Sequence, residues 1–181
     1  MGAVADELAR SYPFTRVIHH AVNKGYGVTL HDGFAAAQHD FVMYTDGDCQ
    51  YDITEFAPYL YLLEASDILS GHVSVKAVSV MRKIQSVLYN ALVFLFFGVR
   101  VKDINCSMKI YKRTVLDVIT ARSTSAFIDA EMLIRARRAG FSVAQFPVTH
   151  YPRLSGVASG SRPSVILGTV RDMLLFRLGL L

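Results

Sequence analysis

The spacing of apolar residues changes several times along the chain, and each change marks an element. Val4 to Arg10 reads as a short helix ended by Ser11-Tyr12-Pro13, and Thr15 to His20, led by Val17 and Ile18, reads as a strand. A glycine-rich turn, Asn23-Lys24-Gly25-Tyr26-Gly27, precedes a helix of small residues over Val28–Gln38. Phe41 to Thr45 is a short apolar run, the pattern of a strand buried on both faces. Ile53 to Glu64 reads as a helix and Asp67 to Ser70 as a short strand closed by Gly71. Val80, Ile84, Val87, Leu88, Ala91, Leu92 and Leu95 recur at helical spacing, and Val93, Phe94, Phe96 and Phe97 make the second half of that helix apolar nearly all round. Met108–Tyr111 is a further strand. Phe127–Ala139 is a helix with Arg135, Arg137 and Arg138 in its last turns and Gly140 after it. Phe141–Val148 is a strand, Tyr151–Arg162 a polar loop, and Ser164–Leu181 an apolar, amphipathic helix. Strands alternating with helices predict an α/β domain with a mostly parallel sheet.

Composition narrows the class. The 181 residues suffice for one domain with a real core, and no repeat, low-complexity tract or linker divides them. Hydrophobic residues make up 52% and charged residues 19%, which excludes a disordered chain. The net charge of +4 is small and dispersed, so no nucleic-acid partner is expected. Cys49 and Cys106 make neither a disulfide framework nor a zinc site. The longest stretch without charge, Ile84 to Val99, has sixteen residues and includes Gln85, Ser86 and Asn90. A span needs about twenty apolar residues, so none is expected. The acidic N-terminus does not read as a signal peptide.

Candidate chemistry concentrates in FVMYTDGDCQYD. A strand delivers Asp46 and Asp48 at its carboxyl end, where ligands of open α/β sheets sit. Gln50 adds a neutral oxygen. Such hard oxygens suit Mg²⁺ or Mn²⁺ with a phosphate completing the shell; an ordinary acidic turn after a strand is the alternative. An EF-hand loop would need glycine and glutamate where Tyr51 and Ala57 stand, so that reading fails. An aspartyl phosphatase would want a hydroxyl at Gln50 and stays as the rival chemistry. The six histidines show no ligand or triad spacing.

Four segments together carry a resemblance: NKGYGVTLHDGFAAAQHDFVMYTDGDCQYD, RKIQSVLYNALVFLFFGVRVKDINCSMKIYKR, FIDAEMLIRARRAGFSVAQFPVTHYPR and RLSGVASGSRPSVI. In this order the chain resembles the family 2 glycosyltransferases, in the branch like dolichyl-phosphate mannose synthase and related polyprenyl-phosphate sugar synthases. The resemblance implies a GT-A-like (Rossmann-like) α/β fold over residues 1–163. It implies transfer of a hexose from a GDP- or UDP-linked sugar to a polyprenyl or dolichyl phosphate, with inversion and with help from a divalent metal, Mg²⁺ or Mn²⁺. Asp46, Asp48 and Gln50 would hold the metal and diphosphate. Asn23, Lys24, Gly25 and Gly27 would form the turn near the nucleotide sugar. Arg153, with Ser159 and the other small residues of its loop, would clamp phosphate, or else belong to a surface loop. Asp103 is a second acid at an expected position. Lys109 would face the acceptor phosphate, with Arg82 as a further candidate. A phosphate acceptor is already anionic and needs no strong base; a hydroxyl acceptor would need one, and Asp129 and Glu131 are then the candidates, or else they serve the dipole of their helix.

The apolar pattern and the resemblance together set three further expectations. Residues 164–181 and the helix end Val87–Val99 would offer apolar faces to a membrane surface, or to a second copy or the core. That would place the protein peripherally on the cytoplasmic face of a membrane, or otherwise in the cytoplasm. The family usually opens with a segment that binds base and ribose, and this chain begins after it, so the GT-A-like domain would be N-terminally truncated and another segment or chain would supply that part. Val73 stands where the family usually has arginine. A degenerate, non-catalytic binding subunit is therefore the second expectation for function.

Overall fold

The computed structural model describes residues 2–76, 80–153 and 162–181. Helices α1 (Gly2–Ser11) and α2 (Tyr26–Ala36) lead to strand β1 (Phe41–Tyr44). A 3₁₀ helix (Ile53–Glu64) precedes β2 (Ile68–Lys76) and α3 (Val80–Phe97). Then come β3 (Lys109–Lys112), α4 (Arg113–Val118), α5 (Ile128–Arg138), β4 (Val143–His150) and α6 (Pro163–Arg177). The strands form one sheet in the order β1-β3-β2-β4. β3 runs antiparallel to both neighbours, with Tyr44 opposite Lys109 and Ser70 opposite Lys109 on its other side. β2 and β4 are parallel, Ile68 facing Val143. The α/β architecture is the expected one, but the expectation of a mostly parallel sheet is corrected: β3 enters antiparallel between β1 and β2, so the sheet is mixed, with one parallel and two antiparallel pairings.

Apolar packing covers both faces of this sheet. On one, α5 sits deepest: Ile128, Ala130, Leu133, Ile134 and Ala136 are buried with Ile68 and Tyr111. Phe97, Phe127 and Phe176 bring α3, α5 and α6 together, with ring centroids 5.6–6.1 Å apart. On the other, Leu69, Met108, Ile110, Phe146 and Val148 meet Leu63 of the 3₁₀ helix. Asp52 caps that helix, its carboxylate accepting from the Thr54 backbone N–H at 2.8 Å, and Pro58 inside it removes a donor.

Three further expectations are corrected, and one element is new. Thr15–His20 forms no strand, because no neighbouring strand accepts its backbone groups. Side chains fasten it instead: His19 meets Asp6 of α1 at 2.6 Å and His20 meets Asp32 of α2 at 2.8 Å. β1 is an edge strand rather than a buried one. Tyr44 and Met43 reach the two apolar clusters from opposite faces, yet Phe41 is exposed. β2 passes through Gly71 instead of ending there. A Cβ at Gly71 would lie 2.9 Å from the Met108 carbonyl, which accepts from the Gly71 N–H at 2.7 Å; the glycine admits a close backbone neighbour. Finally, α4 follows β3 directly and was not expected.

α6 is held at its middle. Met173 and Phe176 enter the core, and buried Asp172 accepts from the Ser125 backbone N–H at 3.2 Å. Its outward residues Leu167, Leu174 and Leu178 are exposed, as are Val87, Leu88 and Leu95 of α3. Among the described residues no helix is long and apolar enough to cross a membrane.

Candidate functional site

The acidic turn follows β1 at the sheet's open end. Its shape comes from Cys49, a non-glycine residue at φ 58°. That left-handed conformation turns the chain back between Asp48 and Gln50, and the Gln50 N–H donates to the Asp48 carboxylate at 3.2 Å. Non-glycine residues held this way cost of order 1 kcal/mol and cluster at functional turns.

Arg153, following β4, closes the turn from the other side. One guanidinium nitrogen, Nη2, donates to Asp48 Oδ2 at 2.6 Å and to Gln50 Oε1 at 3.0 Å. Gln50 is buried and spends its own amide N–H on the Tyr151 carbonyl at 3.0 Å, while the Tyr151 N–H donates to the Gln50 carbonyl at 2.9 Å. The structure thus brings Arg153 to Asp48 and Gln50, more than a hundred residues away in sequence. Asp46 is open to solvent on one side. Protein packed against its other side desolvates the carboxyl and raises it above the usual range, with Asp129 and Asp48 adding repulsion against the pull of Ser107 and Lys109.

Behind the turn lies a buried charged cluster. Lys109 Nζ donates to Asp129 Oδ1 at 3.0 Å, to the Tyr44 hydroxyl at 2.9 Å and to the Cys106 carbonyl. Asp129 also accepts from the hydroxyls of Tyr44 and, at 3.2 Å, Tyr26. Lys109 is 0% and Asp129 4% exposed. The expectation that Lys109 faces an acceptor phosphate is therefore corrected: its three protons are all spent inside. Asp129 is consumed in the same way, and Glu131 accepts from the backbone N–H groups of Arg122 and Ser123, the Ser123 hydroxyl and Arg135. Neither carboxylate is free to act as a base. Burial pushes the phenols of Tyr44 and Tyr26 up, helped by the charge of Asp129.

The remaining expected residues are scattered. Asn23 accepts from the Gly25 N–H at 2.9 Å and shapes its own turn, and Lys24 is exposed, 3.9 Å from Asp32. Gly27 does not open toward a ligand: a Cβ there would lie 2.4 Å from the Ser123 carbonyl, so the glycine lets α2 touch the 123–124 backbone. Asp103 is buried, and burial, Cys106 and the charges of Asp103 and Asp46 all raise the Tyr51 phenol. Val73 packs on an apolar cluster, and the neighbouring His72 faces Lys102 Nζ at 3.4 Å. Ser159 lies outside the described residues, as does the side chain of Arg82. A lysine inside an apolar strand was the available signal for the buried cluster, since such a charge requires a partner.

Residues 2–120 match the family described as Glycosyl transferase family 2. The chain belongs to that family. The glycosyltransferase AglD of Haloferax volcanii is 30% identical over 158 residues, covering 83% of this chain and 25% of that protein. A dolichyl-phosphate hexose transferase of the same organism is 27% identical over 135 residues, covering 72% of this chain and 58% of that protein. The structure of glucosyl-3-phosphoglycerate synthase from Mycobacterium tuberculosis, in complex with Mn²⁺, UDP-glucose and glycerol 3-phosphate, has a TM-score of 0.60. It is 21% identical, covers 96% of this chain and 60% of that one, and shows a shared fold. The chain thus spans between a quarter and three fifths of these proteins.

Solved structures that share this fold carry Mn²⁺ or Mg²⁺. Among the described residues no group of three or more His, Cys, Asp or Glu gathers to hold one. Two carboxylates and an amide oxygen from a single turn are nevertheless what Mg²⁺ or Mn²⁺ takes when phosphate and water fill the other positions. The raised Asp46 carboxyl is the group that a nearby positive charge would return to its ionised form. By chemistry, this donor set is of the kind that suits such an ion.

Proposed function

We propose that this chain is the catalytic core of an inverting transferase that moves a hexose from a GDP- or UDP-linked sugar to a polyprenyl or dolichyl phosphate. The observation that carries the reading is the convergence of Asp48, Gln50 and Arg153 beside Asp46 at the end of β1. Asp46, Asp48 and Gln50 would hold the cation, which would supply Lewis-acid stabilisation of the charge on the departing diphosphate. Arg153 meets the same diphosphate through its planar fork. An acceptor phosphate oxygen attacks the anomeric carbon, and the bond from that carbon to the diphosphate breaks, its electron pair leaving with the nucleoside diphosphate. The oxygen is already anionic, so no side chain has to remove a proton. That agrees with Asp129 and Glu131 being engaged elsewhere. Asp103 serves as a second acid of the site, and the turn of Asn23 and Lys24 stands near the nucleotide sugar.

The lipid acceptor is reached from a membrane surface. The exposed leucines of α6 and the apolar face of α3 form the contact, with Arg100 stacked on Phe94 at 4.9 Å as a cation near the headgroups. On this reading the protein sits peripherally, on the cytoplasmic face of the membrane. The similarity to a dolichyl-phosphate hexose transferase supports this acceptor class.

Incubating the protein with labelled GDP- or UDP-sugars, Mn²⁺ and polyprenyl phosphate in detergent tests the reading. Label should move to the lipid fraction, and Asp48→Asn should lower the rate by about a hundredfold or more, as loss of a charge-stabilising group does. Nucleotide-sugar binding without transfer in any acceptor would instead favour a non-catalytic binding subunit, for which Val73 speaks.

A further inference from the structure

The Arg153 contact raises a question of charge. Asp48 Oδ2 receives the guanidinium at 2.6 Å, and the same nitrogen reaches Gln50 Oε1 at 3.0 Å. These are two of the three side chains assigned above to the cation. A carboxylate oxygen held so closely cannot also bind a dication directly, at about 2.1 Å, without crowding like charges.

We propose that Arg153 and the divalent cation are alternative partners of Asp48 and Gln50. This rests on reading the turn as a cation site, and deepens it by setting an order of events. Without the cation, Arg153 neutralises Asp48 and keeps the turn in shape. When the cation is bound, the guanidinium is displaced and becomes available to the diphosphate. Two features make the exchange local. The Arg153 and Asp48 side chains are 29% and 20% exposed, so the pair can separate into water. The paired bonds between Gln50 and Tyr151 do not involve the guanidinium, so the arginine stays tethered beside the turn after it lets go.

The exchange predicts opposite signs for two affinities of one variant. Mn²⁺ binding to the protein, followed by electron paramagnetic resonance of the free ion, should tighten about two- to fivefold in Arg153→Gln when no nucleotide is present, the worth of a partly exposed ion pair. UDP or GDP binding in the presence of saturating Mn²⁺ should weaken in the same variant. Arg153→Lys, which keeps the charge and loses the fork, should fall between on both scales. A purely structural arginine would move both affinities the same way. Equal or weaker Mn²⁺ binding in Arg153→Gln, with Asp48→Asn still abolishing it, overturns the exchange and leaves the cation site standing. Mn²⁺ binding that Asp48→Asn does not change overturns both.

Discussion

Two ion pairs sit within one neighbourhood of this molecule and behave as opposites. Lys109 and Asp129 are sealed in the core, joined to two tyrosine hydroxyls and a carbonyl, with every proton used. Arg153 and Asp48 are half-open, share one nitrogen between two acceptors, and rest on a turn bent through a left-handed cysteine. A buried charge that loses its partner is left without water, whereas a surface charge is rehydrated. The first pair therefore fixes where β1, β3, α2 and α5 stand. The second can change partners, which is what binding requires.

The widest gap between them should appear in stability. Asp129→Ala strands Lys109 in the core and should cost about 3–5 kcal/mol in urea denaturation. A loss under about 1 kcal/mol would mean that water reaches the cluster, and the contrast would collapse. Next in size is Cys49→Gly. Removing the left-handed strain should stabilise the chain by up to about 1 kcal/mol, seen as a higher midpoint, while the freer turn binds Mn²⁺ less tightly. Smallest is Arg153→Gln, which should change stability by less than about 1 kcal/mol despite its short bond, because the pair is solvated.

The division between the two pairs also explains what could be read from the sequence. Helices α2, α3, α5 and α6 were legible because their periodicity is local, and Gly140 marks the end of α5 at φ 90° as expected. The acidic turn was legible because its residues are adjacent. The extent of β2 was not, since it depends on Met108 approaching Gly71 from a distant segment. Thr15–His20 has strand composition but no strand beside it, and pairing cannot be seen in one segment. Lys109 looked like a ligand-facing cation because its acid, Asp129, lies twenty residues on and on another element. Arg153 was singled out through family resemblance, yet its contact with Asp48 required the fold.

One measurement bears most directly on the claim that the turn after β1 is a cation-assisted diphosphate site. It is calorimetric titration of UDP and GDP into the protein, with and without Mn²⁺, repeated on Asp48→Asn after its fold is checked by circular dichroism. Binding of at least one nucleotide that requires Mn²⁺ and disappears in the folded variant is the predicted result. Nucleotide binding that ignores both the metal and the loss of the carboxylate would contradict it.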